Sequence, residues 1–300
     1  MTRVVFLLVP GVHLLDLAGP AQVFSSAADL VGGYMLSYVG DADTVLSHQG
    51  VPLGASTELP SLDADDLVFV PGWRSPKIAG TGHLSERALA WLRSHHAAGG
   101  MVASVCAGAD ALGRAGLLEG RRCTTHHELQ EELERRYPRA QVVRDVLFVE
   151  DHRVVTSAGI ASGIDLALHL VAVRHGPSTA AAIARTMVIY ARRNGDDQQA
   201  SVLLRYRSHI NETVHRIQDV IESRLADRLS LAELAAHAGC SERTVTRLFG
   251  RATGMTPLKY QQALRVERAE HLIGQGATVE TAARNVGFED ARMLRRLRSR

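Results

Sequence analysis

Short apolar runs alternate with helical patterns along the first 190 residues. Residues 3–9 form an apolar run closed by Pro10–Gly11, and an amphipathic stretch follows over 16–30. Residues 35–39 read as a strand. The run 67–70 is wholly apolar and stops at Pro71–Gly72. A helical pattern over 84–98 ends at Gly99–Gly100. A second wholly buried type of strand is expected at 101–105, followed by a helix over 107–118. Residues 154–156 are strand-like, and 160–173 carry apolar residues at helical spacing. Strands alternating with helices predict a parallel sheet covered on both faces. Residues 191–199 are polar, contain a glycine and lose the apolar periodicity, as a linker does. Beyond them the pattern is helical, with no strand-like run between 231 and 297.

The helical part contains a weak internal repeat. Residues 234–249 align with 282–297, anchored on Gly239 and Gly287. Each copy has a short helix with small residues, a glycine at a turn, and a second helix bearing Arg and polar side chains. Glycine suits a turn that needs positive φ. Ala235 and Ala283 would let two helices approach closely. This is a helix-turn-helix layout, occurring twice. Arg243, Thr244, Thr246 and Arg247 lie on the second helix of the first copy. Side chains of these types reach base edges and phosphates in a major groove.

Charge separates the two parts. Residues 201–300 hold 17 basic and 11 acidic side chains, a balance of +6; the remaining 17 and 21 give residues 1–200 a balance of −4. A basic back and an acidic front suggest different partners. With 46% hydrophobic residues the chain has material for a core and is not disordered. No apolar run is long enough for a membrane span, and the N-terminus lacks a signal-peptide layout, so a cytoplasmic protein is expected. Cys106, Cys123 and Cys240 are far apart, which argues against disulfides and structural zinc; neither metal nor cofactor is expected.

Cys106 stands between the strand 101–105 and the next helix. A thiol at such a turn is expected to lie exposed above the sheet edge, with its pKa lowered by the helix N-terminus. The same strand–turn–helix geometry holds hydrolase nucleophiles. A small buried cysteine is the plain alternative. His126 is the nearest candidate base, although with His127 it also reads as a solvated loop pair. Trp73, after the Pro–Gly turn, is either a pocket wall or core.

Two resemblances follow from these residues. Leu231-Ala-Glu-Leu-Ala-Ala, Ser241 to Phe249, Gly254-Met-Thr-Pro and Val286-Gly-Phe-Glu-Asp resemble the AraC-type DNA-binding domain. Such domains carry two helix-turn-helix units on either side of a connecting helix, here expected at 257–273. They continue past the second recognition helix with a further turn and a final helix, whereas this sequence is expected to reach Arg300 inside or just after that second helix; where they often carry an aromatic core residue, the stretch with Arg292, Arg295 and Arg296 is dense in Arg. The second unit is therefore expected to be poorly packed or less sequence-specific, while still holding phosphates electrostatically. Residues 3–190 resemble the PfpI/ThiJ-type, class I glutamine-amidotransferase-like domain. The carrying stretches are Leu15-Asp-Leu-Ala-Gly-Pro, Val70-Pro-Gly, Ser104-Val-Cys-Ala-Gly and Thr156-Ser-Ala-Gly-Ile. That resemblance places Asp16 beside Cys106 and makes the N–H groups of Gly72 and Ala107 an anion pocket. Isonitrile hydratases of this kind carry a Thr after the cysteine, where this chain has Ala107.

The resemblance implies a flavodoxin-like α/β parallel sheet sandwich (1–190), a linker (191–206) and an all-α double helix-turn-helix domain (207–300). The combination resembles the GlxA-type transcription regulators. It implies binding of double-stranded promoter DNA, a small-molecule effector held by Asp16, Gly72, Trp73, Cys106, Ala107 and His126, and a homodimer formed through the front domain. No catalysis is expected. The alternative is a hydratase or hydrolase using Cys106, Asp16 and His126.

Overall fold

A computed structural model describes residues 1–74, 84–189, 193–197, 199, 202–207, 209–274 and 276–298. Of the expected linker, residues 191, 192, 198, 200 and 201 lie outside the described residues, as does Arg300. The chain forms two units, Met1–Gln199 and Ala200–Arg300.

The first unit has strands β1 (Thr2–Leu8), β2 (Tyr34–Gly40), β3 (Thr44–Leu46), β4 (Pro52–Gly54), β5 (Leu67–Val70), β6 (Met101–Val105), β7 (Arg122–Cys123), β8 (Gln141–Val142), β9 (Phe148–Asp151) and β10 (Val154–Ser157). Six of them make one sheet in the order β2-β1-β5-β6-β10-β9. All its pairings are parallel except β10 with β9 at one edge. The helices are α1 (Leu14–Val31), α2 (Glu86–Ala97), α3 (Ala109–Arg114), α4 (Gln130–Arg136), α5 (Ser162–His175) and α6 (Pro177–Thr186). Every residue of β5 is buried, as is the stretch from Val4 to Leu8 in β1. A strand covered on both faces needs a continuous apolar run.

The short pairs β3–β4 and β7–β8, and the antiparallel edge β9, have no counterpart in the sequence pattern. Strands of two to four residues, partly exposed, produce neither a run nor a usable alternation.

In the second unit all the described elements are helical: α7 (Val202–Arg205), α8 (Glu212–Ser223), α9 (Leu231–Ala238), α10 (Glu242–Thr253), α11 (Pro257–Gly274), α12 (Val279–Asn285) and α13 (Ala291–Arg298). Two small cores serve it. One gathers Val214, Ile217, Leu234, Val245, Phe249 and Tyr260. The other gathers Ala269, Ala282, Val286, Phe288 and Leu294. The second helix-turn-helix thus has a packed interior of its own. Among the described residues no helix is long and apolar enough to cross a membrane.

Candidate functional site

Parallel strands deliver their C-terminal ends to one side of the sheet, where ligands bind in open α/β folds. Four such ends meet here, those of β1, β5, β6 and β10, the last leading into Gly159 and Ile160. After β1 the chain enters α1, whose first turn carries Asp16. After β5 comes Pro71-Gly72-Trp73, and the Gly72 carbonyl accepts the His13 N–H at 2.9 Å, tying this turn to the start of α1. After β6 comes Cys106, at the head of a tight 3-10 turn that runs into α3.

Cys106 sits at φ +53°, in the left-handed region that a side chain adopts at a cost. Its neighbours hold it there. A Cβ on Gly72 would collide with the Asp16 carboxylate and the Cys106 Cβ, and one on Gly159 would collide with Cys106. The Cys106 carbonyl accepts the Thr125 hydroxyl at 2.8 Å.

Asp16 is fully buried. Its Oδ1 accepts the Ile160 N–H at 2.9 Å, while Oδ2 faces Gly72 with no partner of hydrogen-bond geometry among the described residues. Burial pushes its pKa up to about 6, against the opposing pull of the Ile160 and Gly72 amides and the Cys106 thiol.

The thiol itself departs from expectation. Cys106 is 9% exposed, not open above the sheet edge. Its pKa is raised, not lowered. Burial is the main cause and the Asp16 charge the second; the Ala107 amide, which faces the sulfur, pulls the other way without prevailing. A helix N-terminus favours a thiolate only when desolvation and a neighbouring carboxylate do not outweigh it.

The mouth of the site is richer in histidine than the sequence suggested. His13 stacks on His48 with ring centroids 5.2 Å apart, and His126 on His127 at 4.2 Å. Burial lowers the pKa of His13, and His48 and Arg74 add to it. Burial lowers that of His126 too, with His127 and His13 adding and Glu128 opposing. Glu128 also bears on Cys106. The His126 Nδ1 accepts the Glu128 N–H at 3.4 Å; among the described residues no hydrogen bond joins the His126 ring to the thiol. Trp73 is a core residue at 4% exposure, its main chain bridged to Val12. His48 and Arg74 were not singled out from the sequence: no local spacing links them to Cys106.

The second unit presents a different surface. Ser230 and Glu233 cap the start of α9 reciprocally, and Gly239 ends it at φ +66°. Ser241 caps α10. Arg243, Thr246 and Arg247 are exposed on α10, whereas Val245 and Phe249 on its other face are buried. Among the described residues neither arginine has an ion-pair partner. Thr244 is half-buried, its hydroxyl bonded to that of Ser241 at 2.9 Å. On α13 the picture differs: Arg295 pairs with Glu280 at 2.5 Å, Arg298 with Glu270 at 3.3 Å, and Arg292 lies 3.7 Å from Asp290.

A staple with no signature in the sequence joins the two helix-turn-helix units. The buried Arg265 of α11 donates to the carbonyls of Leu225, Asp227 and Gly287 at 2.7, 2.8 and 2.9 Å. Its guanidinium also lies over the Phe288 ring.

Known proteins share both halves. The DJ-1/PfpI family matches residues 2–173, and a helix-turn-helix domain matches residues 234–300. The HTH-type transcriptional regulator CdhR of Pseudomonas aeruginosa is 30% identical over 275 residues, 90% of this chain and 80% of that protein. An isonitrile hydratase of Pseudomonas putida is 37% identical over 180 residues, 58% of this chain and 73% of that protein. A crystal structure of an AraC family transcriptional regulator from Pseudomonas putida superposes with a TM-score of 0.54 at 26% identity, covering 62% of this chain and all of that one.

Proposed function

From the premise that this chain belongs to the DJ-1/PfpI family and joins that domain to a helix-turn-helix domain, we propose that it is a transcription regulator with a sensor in front and a DNA reader behind. DNA-binding regulation is what its relatives along nearly the whole chain do. The observation that carries the reading of the back unit is the exposed pair Arg243 and Arg247 on a capped helix, neither in an ion pair among the described residues. These and Thr246 contact the major groove in this reading, with Thr244 fixing the helix start. Arg292, Arg295 and Arg296 hold phosphates.

In the front unit, Asp16, Gly72, Cys106, Ala107 and His126 frame the effector site, and Trp73 backs it. The site binds and does not catalyse. A buried thiol with a raised pKa is a poor nucleophile, no base among the described residues is bonded to it, and Ala107 offers no hydroxyl. The homodimer forms through the front unit, inside the cytoplasm. A groove of about 620 Å³ between α1 and the edge strand β2, lined by Leu14, Ala18, Leu36 and Tyr38, supports such an interface.

The test is selection of genomic fragments by the full chain over a salt series. A site spanning two or more helical turns and retained at ~150 mM salt establishes the reader. Binding that fades with salt and selects no sequence overturns it. Isonitrile turnover abolished by Cys106→Ala would restore the enzyme reading, which the P. putida relative motivates.

A further inference from the structure

The residues that frame the Cys106–Asp16 site also hold the chain that leads out of the first unit. Thr125 does both. Its hydroxyl donates to the Cys106 carbonyl at 2.8 Å, and its own carbonyl accepts the Gln199 Nε2 at 2.9 Å. Gln199 is the last residue of the first unit. Its Nε2 also donates to Val146 O at 3.1 Å, and its N–H to Asp145 Oδ1 at 3.2 Å.

A second route reaches the same segment. Ile160 N–H bonds Asp16, and Gly159 presses on Cys106. The preceding residue, Ala158, donates to the Leu147 carbonyl at 2.8 Å. Leu147 N–H in turn donates to the carbonyls of Gly195 at 2.8 Å and Asp197 at 3.0 Å. Gly195 lies so close on Phe148 that a Cβ would come within 2.9 Å of its ring and its carbonyl. Upstream, Arg193 is anchored to the buried Asp165 by its N–H and by two guanidinium bonds of 3.0 and 2.5 Å.

We propose that residues 193–197 and 199 are the output of this site: the 124–126 loop and the 147–160 stretch clamp them, and displacement of either by a ligand loosens the chain leading to the DNA-binding unit. This rests on the sensing reading above. Both routes are short: the first begins at a buried bond from Thr125 to Cys106 and continues through part-buried ones, and the second begins at a part-buried one, so a shift at the site meets little compliant structure before the linker. Such coupling is reciprocal: loosening the linker must alter the site.

The experiment needs no effector and uses the full chain. Gly72→Ala forces a movement at Asp16 or Cys106; Asp16→Asn is the milder second perturbation. Amide hydrogen exchange at Leu147 and Gln199, whose N–H groups bond the linker or belong to it, reads the clamp. We expect exchange there to rise about fivefold or more in either variant. In the reverse direction, Gly195→Ala and Gln199→Leu should raise the rate of Cys106 alkylation by iodoacetamide by a similar factor, an effect that Thr125→Val reproduces. Wild-type exchange at Leu147 and Gln199 in both site variants overturns the proposal, and so does unchanged Cys106 alkylation in the linker variants. If the coupling holds while Gly72→Ala leaves promoter affinity unchanged, the clamp stands and the sensing reading falls.

Discussion

The guanidinium of Arg265 donates to the carbonyl of Gly287 at 2.9 Å, reaching from the middle of α11 to the turn of the second helix-turn-helix. Its other two bonds go to the loop just before the first. One side chain therefore ties both readers together, beside the direct packing of Gly287 on the Ala226 backbone. Arg265→Ala leaves three carbonyls without this donor and should destabilise the unit by roughly 3 kcal/mol. Arg265→Lys keeps the charge but lacks the planar fork, so it should rescue only part. On a selected operator, the footprint should shrink to one half-site in Arg265→Ala. A full footprint with unchanged affinity would remove the staple from the account.

Arg243 and Arg247 should matter more to DNA than Arg295. An arginine outside any ion pair gives up none on meeting DNA. Arg295 must first release Glu280, although an exposed pair of this kind is worth at most about 1 kcal/mol. Arg243→Ala and Arg247→Ala should each cost ~1–3 kcal/mol of specific binding. Where either side chain meets a phosphate, its removal should also flatten the slope of log Kd against log salt by about 1. Arg295→Ala should change affinity less than either. Equal effects from all three would mean that charge alone, and not the presentation of α10, does the reading.

The sequence disclosed what is local. Leu67–Val70 stands out because a strand buried on both faces is continuously apolar, and Met101–Val105 because Ser104 alone interrupts its run. The cysteine elbow stood out because a strand, a small residue and a helix follow one another directly. The thiol's chemistry was misread because the helix N-terminus is the only influence visible locally. Asp16 arrives from 90 residues away, and the burial that dominates is a property of the assembled fold. Arg265 lies in the expected connecting helix and Gln199 in the polar linker, and neither has a local signature. Their partners lie 22 to 40 and 53 to 74 residues off.

Thiol labelling should follow burial and not the elbow motif. Cys240 is half-buried, whereas Cys106 and Cys123 are buried with raised thiol pKa values. At pH 7.5, iodoacetamide should therefore modify Cys240 first and the other two more than tenfold more slowly, since only the thiolate reacts. Asp16→Asn removes the second-largest cause of the Cys106 shift and should speed its labelling alone. Peptide mass spectrometry resolves the three sites. Cys106 reacting first would return it to the class of activated nucleophiles.

Asp16 should make the first unit more stable in mild acid. In the unfolded chain its carboxyl titrates near the ordinary 3.8, and in the folded chain at about 6. Above pH 6 it is ionised in both states, and the buried charge destabilises the fold. As pH falls from about 6 towards 4, the folded chain takes up a proton that the unfolded chain does not, and this penalty disappears. A shift of this size corresponds to about 3 kcal/mol at its limit. Asp16→Asn carries no charge to bury, so it should unfold at higher urea than the wild type at pH 7.5, and the gap should narrow by pH 5. Both tryptophans, Trp73 and Trp91, lie in the first unit, so their fluorescence follows its unfolding alone. A gap that stays constant with pH would show that Asp16 does not titrate in this range, and a less stable Asp16→Asn at pH 7.5 would show that the ionised carboxylate is what the Ile160 and Gly72 amides are built to hold.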